Sequence, residues 1–585
     1  MSGFGKTAAV LTGTISAAEE TGCKVVYACR TKRQILRVVE ELSRIQDKHQ
    51  VTAASILSKF DYCLLKRQVP RPIPQESFGW YCWFNVQNNL CSYFLNVSLS
   101  TEDFDTAVRR ALKTVPKHSR LLQEAEAIHV CPYEVARLAM AQAEVAVVPY
   151  AYVFDEKSTS LLFDRNSIER SKTIMVVDEA HNLRDFFRGV NSASLSMDQV
   201  QGAIREAETL QMENVASSLG ELKGILEHVI GTSSGWLLDR VLLLERFRNK
   251  RGTAWLQNLA FELTACSEAA WGSITYERRL PSLVLKVGEF LTKLSSGSGS
   301  VLVRWDQFLG LLDPNPVAML GSHLSRFQSS VLVSATVNPS EVFTRYLGLD
   351  SARVTTYAVS AESLVTVRTI IDTGVTTKYK SRTPQMFSKI SDKIAAVVTS
   401  TPNGVGVFAP SYSVLAPLSE MVSKRVGGRN IVSEVRGLSS QEAAEAFDSF
   451  SSQKGSVLFA VQGGRFSEGE DFRDELMDAA VVVGLSLPPP SPMLYAEYAC
   501  LKRAGEPDSF LMLSQLPALR KAFQAAGRHI RSPGKRGLVF MFDHRFDSST
   551  IRNLMPPWLA KDIMSGDFNP ARLSELTADF WAHRS

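Results

Sequence analysis

The chain has 585 residues, 45% of them apolar and 21% charged, which is ordinary globular composition with room, at roughly 150 residues per domain, for about four structural units. A net charge of +5 from 65 basic and 60 acidic residues is too small to announce a polyanion partner, so any nucleic-acid groove must be a local patch. The most apolar stretch, Val130 to Phe154, carries Glu134, Arg137, Gln142 and Glu144, which excludes a membrane span and leads us to expect a soluble, cytoplasmic chain with no membrane partner. Eight cysteines are too few for a disulfide scaffold in so long a chain, which fits a reducing compartment.

In chain order, the pattern predicts a helix over Lys6 to Glu20, a buried strand over Lys24 to Cys29 and an amphipathic helix over Arg33 to Gln46, the opening of an α/β domain. From about Thr52 to Val145 cysteines, aromatics and Pro70, Pro72 and Pro74 replace the periodic runs, so an inserted module is expected there. A strand over Thr173 to Val177 resumes the sheet. A second departure runs from about Leu183 to Asn315, with helical periodicity over Met197 to Val229 and Trp236 to Asn249 and a flexible link over Ser295 to Ser300. A strand over Ser330 to Val333 returns to the first sheet. Beyond Asp350 strands over Val405 to Phe408, Val457 to Ala460, Ala480 to Leu485 and Leu538 to Phe542 alternate with helices such as Ser440 to Phe450, which predicts a second α/β domain.

Gly3-Phe4-Gly5-Lys6-Thr7 is the second half of a phosphate-binding loop. Glycines let backbone amides close on phosphate oxygens, the helix N-terminus adds its dipole, the Lys6 ammonium reaches the β and γ phosphates, and the Thr7 hydroxyl ligates magnesium. The full motif needs residues before Gly3 and a preceding strand, so a start upstream of Met1 is expected. Ile174 to Val177 runs into Asp178-Glu179-Ala180-His181, which spells a DEAH box at the end of a strand. Asp178 can hold the magnesium shell while Glu179 orients and deprotonates the attacking water.

Cys63, Cys82, Cys91 and Cys131 fall in the first insertion, with eighteen, eight and thirty-nine residues between them. That is not the paired spacing of a zinc ribbon, which disfavours zinc without removing it. Four thiolates in an aromatic, partly apolar module suit a [4Fe-4S] cluster. Around them Lys59, Lys66, Arg67 and Arg71 alternate with Phe60, Tyr62, Trp80, Tyr81, Trp83 and Phe84, a composition that can grip a single strand through phosphates and stacked bases or form a small aromatic core with a solvated rim.

Together these strings carry a resemblance. The phosphate loop, Tyr27-Ala28-Cys29-Arg30-Thr31 with Gln34, the four cysteines, Asp178 to His181, Arg326 to Ser329 running into Ser334-Ala335-Thr336, Phe408 to Tyr412, Ser467 to Phe472, Gln524 to Arg531 and Asp543 to Phe546 resemble, in the same order, the XPD-type DNA helicases of superfamily two, and their archaeal members in particular. The resemblance implies an α/β fold of two RecA-like motor domains with parallel sheets, plus an iron-sulfur insertion and a helical arch insertion in the first. The expected boundaries are 1–55, 141–188 and 316–350 for motor domain 1, 56–140 for the cluster domain, 189–315 for the arch and 351–585 for motor domain 2. It implies ATP-dependent 5′ to 3′ movement on single-stranded DNA by a monomer, with ATP, Mg2+ and a [4Fe-4S] cluster, on forked or damaged duplex in repair. Arg528 and Arg531, taken to be one helical turn apart, become arginine fingers beside Gln524, Glu468 and Asp471 link nucleotide state to grip, and Arg30, Thr31, Lys59, Tyr133 and Arg137 contact the strand. The alternatives are a DinG-like helicase or a catalytically inactive single-strand-binding protein.

Overall fold

Strand β1 (Lys24–Cys29) lies between helix α1 (Lys6–Thr21) and helix α2 (Lys32–Gln46). Its residues Val25 to Cys29 are wholly buried, as expected of a strand covered by helices on both faces. Helix α2 starts on a capping box, in which Thr31 Oγ1 accepts from Gln34 N and Gln34 Oε1 accepts from Thr31 N. The computed structural model describes residues 5–69, 73, 75, 78–99, 101–232, 235–252, 254–273, 282–296, 301–312, 316–334, 339–358, 364–468, 472, 475–530 and 532–582. Gly3, Asp471 and Arg531 lie outside the described residues, as do Ala335 and Thr336 and the Glu468 side chain.

Strand β2 (Ala53–Ser55) comes next, then a module of short helices that carries the four cysteines, then β3 (Val145–Pro149) and β4 (Thr173–Val177). The chain then leaves through the helix Leu183–Asn191 into a separate layer containing β5 (Ala193–Ser196), β6 (Leu237–Leu238), β7 (Val301–Trp305) and β8 (Phe308–Leu312), and returns in β9 (Ser329–Leu332). The first sheet has the order β2-β3-β1-β4-β9, and every pairing in it is parallel.

The second insertion departs from the helical arch expected. Its strands form an antiparallel sheet of order β5-β8-β7-β6, against which the helices Met197–Thr209, Glu213–Thr232, Trp255–Ser273 and Leu283–Ser296 bury a common apolar core. The run Met197 to Val229 is two helices, because the chain turns at Gln211 with φ 58. The second predicted run starts as β6, and its helix begins only at Arg240, where Asp239 Oδ1 accepts from Val241 N and Leu242 N. Ser295 and Ser296 of the expected link belong to a helix, and its remainder, 297–300, lies outside the described residues.

In the second unit β10 (Thr366–Asp372), β11 (Gly404–Ala409), β12 (Ile431–Ser433), β13 (Val457–Val461), β14 (Met477–Val483), β15 (Arg536–Phe542) and β16 (Ile563–Gly566) form one sheet of order β12-β13-β11-β14-β15-β10-β16, again parallel throughout. Strand β14 starts and stops earlier than the predicted Ala480 to Leu485, because Gly484 turns with φ 66 and lies so close to Thr377 that a Cβ would sit 1.9 Å from Thr377 Oγ1.

The units are bolted together by the helix Pro492–Arg503. Ala496 and Met493 pack on Val303 and Leu312 of the antiparallel sheet, and Tyr495 lies 5.8 Å from Trp236. On the same helix the buried Glu497 faces Arg188 Nη1 at 2.8 Å and Arg184 Nη2 at 3.4 Å. Among the described residues no helix is long and apolar enough to cross a membrane.

Candidate active site

Gly5 precedes α1 with φ 70, a left-handed conformation in which a side chain would be strained. Among the described residues the first turn of α1 has no side-chain cap and no acidic residue, so its N–H groups can face an anion. Lys6 and Thr7 begin this helix, and β1 pairs with β4 in register, Ala28 opposite Val177. Asp178 N donates to Ala28 O at 3.0 Å, so Asp178 and Glu179 emerge beside the end of β1. Glu179 is itself left-handed, with φ 50, uncommon for a residue with a side chain and a form of strain that concentrates at functional turns.

The two carboxyls are driven apart electrostatically. Burial and the Glu179 charge push Asp178 up to about 6 against the opposing pull of Lys6. Burial would raise Glu179 too, but the adjacent His181 ring and the Lys6 charge outweigh it and bring Glu179 down to about 2. Glu179 therefore stays ionised, and among the described residues its Oε2 has no hydrogen-bond partner, although His181 Nδ1 lies 3.2 Å away. Tyr150 supports the turn from below, its hydroxyl donating to Asp178 O.

His181 links this pair to the second unit. Its Nε2 faces Asn182 Nδ2 at 2.9 Å and Gln524 Nε2 at 3.1 Å. Asn182 Oδ1 is taken by Arg30 Nη1 at 2.9 Å, so its amide nitrogen points at the ring and Nε2 must accept. The proton then sits on Nδ1, which lies 2.9 Å from Ser334 Oγ. Gln524 belongs to the helix Leu516–Ala526, and its contact brings the second sheet's unit to the carboxylate pair. The sequence motifs contain His181 and Ser334 without assigning them this role, and no motif contains Asn182 or signals Glu497.

Several expectations are corrected. The helix ends at Ala526, and Arg528 lies in the tight turn Gly527–His529 rather than on that helix, while Arg531 lies outside the described residues. Glu468 closes a one-turn helix, Arg465–Glu468, after β13. Thr31 spends its hydroxyl on the α2 cap. Tyr133 is 4% exposed, its hydroxyl lies 3.1 Å from Tyr152 Oη, and Lys59 Nζ sits 5.2 Å from its ring centre, so the ring is core and offers no open face to a base. Arg137 donates to Glu134 Oε2 at 2.7 Å and Asn166 Oδ1 at 2.8 Å, which neutralises the cation expected on a phosphate. The reason is common to both: the helix Pro132–Gln142 starts at Cys131 and turns its first residues toward the protein.

Cys63, Cys82, Cys91 and Cys131 are unpaired and partly buried. Burial pushes Cys63 up to about 11 and Cys131 up to about 12, with Cys82 adding to both and Cys91 to Cys63, so the four share one electrostatic neighbourhood. Backbone N–H groups of Glu134 and Tyr133 reach Cys131, those of Phe94 and Tyr93 reach Cys91, and that of Lys66 reaches Cys63. Among the described residues no three His, Cys, Asp or Glu converge tightly enough to hold a metal ion. Four soft donors, three of them with N–H groups aimed at the sulfur, fit an iron-sulfur cluster, which is wider than one ion, better than the tight tetrahedron of zinc.

Comparison with known proteins places these features. The DEAD_2 family profile matches residues 27–200 and the helicase C-terminal domain profile residues 394–562. The chain is 24% identical to the ATP-dependent DNA helicase XPD of Sulfolobus acidocaldarius, over 90% of this chain and 88% of that protein. It is 23% identical to the ATP-dependent DNA helicase CHL1 of Scheffersomyces stipitis, over 77% of this chain but only 61% of that relative's length. The solved structure named XPD_Helicase superposes with a TM-score of 0.64 at 20% identity, covering 96% of this chain and 94% of that one, a likeness of fold. The box at Asp178 to His181 reads DEAH, yet the matching family is DEAD_2 and not a DEAH-box family. The chain belongs to the XPD-type DEAD_2 helicase family of superfamily two.

Proposed function

We propose that the chain is an ATP-dependent DNA helicase that moves 5′ to 3′ along single-stranded DNA and opens forked or damaged duplex in repair, with a [4Fe-4S] cluster held by Cys63, Cys82, Cys91 and Cys131. The observation that carries this reading is the Gln524–His181 hydrogen bond, which brings the second unit against the Asp178–Glu179 pair as a two-part nucleotide cleft requires. The names of the relatives, ATP-dependent DNA helicases, agree with it.

Lys6 and the N–H groups of α1 would hold the phosphates, and Thr7 and Asp178 would hold magnesium. Magnesium, when bound, neutralises phosphate charge and aligns the terminal phosphoryl group. Glu179, ionised and with one oxygen unpartnered, accepts the proton of the attacking water. Neutralising Glu179 weakens its attraction for His181, and His181 hands that change to Gln524 in the second unit. Arg528, with Arg531, adds positive charge to the phosphate from the second unit, and the motif that contains Glu468 and Asp471 passes closure to the strand grip. The helix Trp255–Ser273 of the second insertion contacts the helix Phe78–Gln87 of the cysteine module, which supports a passage for one strand between them. Arg30 and Lys59 remain contacts for its phosphates.

The test is strand displacement from duplexes bearing only a 5′ or only a 3′ tail. Unwinding that requires ATP and the 5′ tail is expected, and none from either, or unwinding without ATP hydrolysis, overturns the reading. Iron and sulfide are expected in anaerobically purified protein, whereas stoichiometric zinc without sulfide removes the cluster.

A further inference from the structure

The carboxyl-terminal rim of the second sheet carries a feature that neither the motifs nor the mechanism uses. Beyond β10 the chain makes a tight turn, Tyr379–Ser381, and there the Tyr379 ring is 85% exposed. A ring this exposed offers its faces to a ligand, and what sets it apart is its surroundings. Its neighbours are cations: Lys378 and Lys380 are exposed beside it, and the Arg382 guanidinium lies 5.8 Å from the ring centre. Among the described residues no carboxylate lies within ion-pair distance of these three, so the patch keeps its positive charge.

The turn is also held in place. Asp543 Oδ2 accepts from Thr377 N at 2.8 Å and from Thr376 Oγ1 at 3.1 Å, and Arg545 grips the same carboxylate through Nε and Nη2, both at 2.8 Å. Arg382 Nε donates back to Thr377 O at 2.9 Å. The base of the turn therefore ties β10 to β15, and Thr377 abuts Gly484 at the end of β14. Ligands of open parallel sheets bind outside the carboxyl ends of the strands, and in the first unit Arg30 occupies the corresponding rim after β1. An exposed aromatic face among cations free of ion pairs suits a chain of phosphates with stackable bases, because the backbone that carries the ring is already held by the fold.

We propose that Tyr379, with Lys378, Lys380 and Arg382, is a strand-gripping patch of the second unit, where the ring stacks on a base and the cations follow the flanking phosphates of single-stranded DNA. This rests on the single-strand reading above. Tyr379 supplies sequence-independent stacking, and the lysines supply the salt-sensitive part of the grip.

Fluorescent oligothymidylate titrated into the full chain at several salt concentrations, without nucleotide, tests it. Tyr379→Ala is expected to weaken binding roughly five- to hundredfold with little change in salt dependence, and Tyr379→Phe to keep the wild-type affinity. Lys378→Gln with Lys380→Gln should flatten the salt slope by about 1.4, at roughly 0.7 per lost phosphate contact. All are surface changes, so an unaltered melting temperature serves as the folding control. Wild-type affinity and slope in Tyr379→Ala and in the lysine pair, against a wild-type chain that binds, overturns the patch and leaves the helicase reading standing. A wild-type chain that binds no oligothymidylate overturns both.

Discussion

Asp178 and Asp543 occupy the same kind of place, each the first residue beyond a buried parallel strand, β4 in the first unit and β15 in the second. Their surroundings are opposite. Asp543 is fully buried and its oxygens are used: Arg545 N, Nε and Nη2, Thr377 N and Thr376 Oγ1 all donate to it. Burial alone would raise it, but the Arg545 hydrogen bond and charge hold it below the usual carboxylate range. Among the described residues Asp178 accepts only from Glu179 N, at 3.0 Å; it has a second carboxylate as its neighbour and is pushed up instead. A carboxylate whose lone pairs are filled is a joint, and one left open beside a like charge is prepared for a cation. Position at a strand end therefore does not make a residue catalytic; its neighbours do.

The largest effect is expected where the open pair is broken. Glu179→Gln removes the proton acceptor without changing shape, so DNA-stimulated ATP turnover should fall by about 10²- to 10⁴-fold while nucleotide binding, read by fluorescent-analogue titration, persists. Undiminished turnover would remove Glu179 from the chemistry and with it the contrast with Asp543.

Asp543→Ala attacks the closed partner. It strands the Arg545 guanidinium, 17% exposed, and the buried Thr377 N–H, so the loss should be about 3 kcal/mol of stability, measured by denaturant unfolding. A change within about 0.5 kcal/mol, the range of ordinary surface substitutions, would show that Asp543 is not the joint its contacts describe.

How much of this was legible in the sequence follows from what each feature depends on. Lys6 and Thr7 were readable from the glycine-rich string that opens α1, Asp178 and Glu179 because they sit where a buried apolar run stops, and β1, β4, β11, β13 and β15 follow such runs within two residues or so. The edge strands β2, β12 and β16, three or four residues long, are too short to show a period. The antiparallel sheet was hidden because its β7–β8 hairpin turns at Asp306-Gln307, with Asp306 at φ 52, and lacks the Asn-Gly or Asp-Gly signature. Tyr133 and Arg137 were read from a motif that fixes their spacing but not the partners, Tyr152, Glu134 and Asn166, that absorb them. Glu497 lies in an unremarkable helix, and its importance exists only once Arg184 and Arg188 arrive from elsewhere in the chain.

Acid sharpens the comparison further. His529 is fully buried beside Arg528, and burial with the Lys535 charge brings it down to about 3. A histidine neutral in the fold and free to protonate when unfolded contributes stability that is complete above about pH 6.5 and is lost as pH falls toward 3. The slope approaches about 1.4 kcal/mol per pH unit. Asp543, held low, keeps its contribution above the usual carboxylate range and loses it only below. Between pH 6.5 and 4.5 the fall in melting temperature should therefore shrink in His529→Asn and persist in Asp543→Ala. Equal slopes in wild type and His529→Asn would sink this assignment.

The smallest effect concerns a third strand end. Thr31 follows β1 by one residue beyond Arg30, and there too the polar group is already used, in the reciprocal cap with Gln34. Removing one of the two hydrogen bonds in Thr31→Ala leaves an N–H at the start of α2 to solvent, which costs about 1 kcal/mol, and Thr31→Ser should restore it. Because the hydroxyl is spent on the helix, affinity for single-stranded DNA should change less than stability does. If Thr31→Ala instead weakens oligonucleotide binding at unchanged stability, the hydroxyl faces the strand, and Thr31 belongs with the open groups rather than the closed ones.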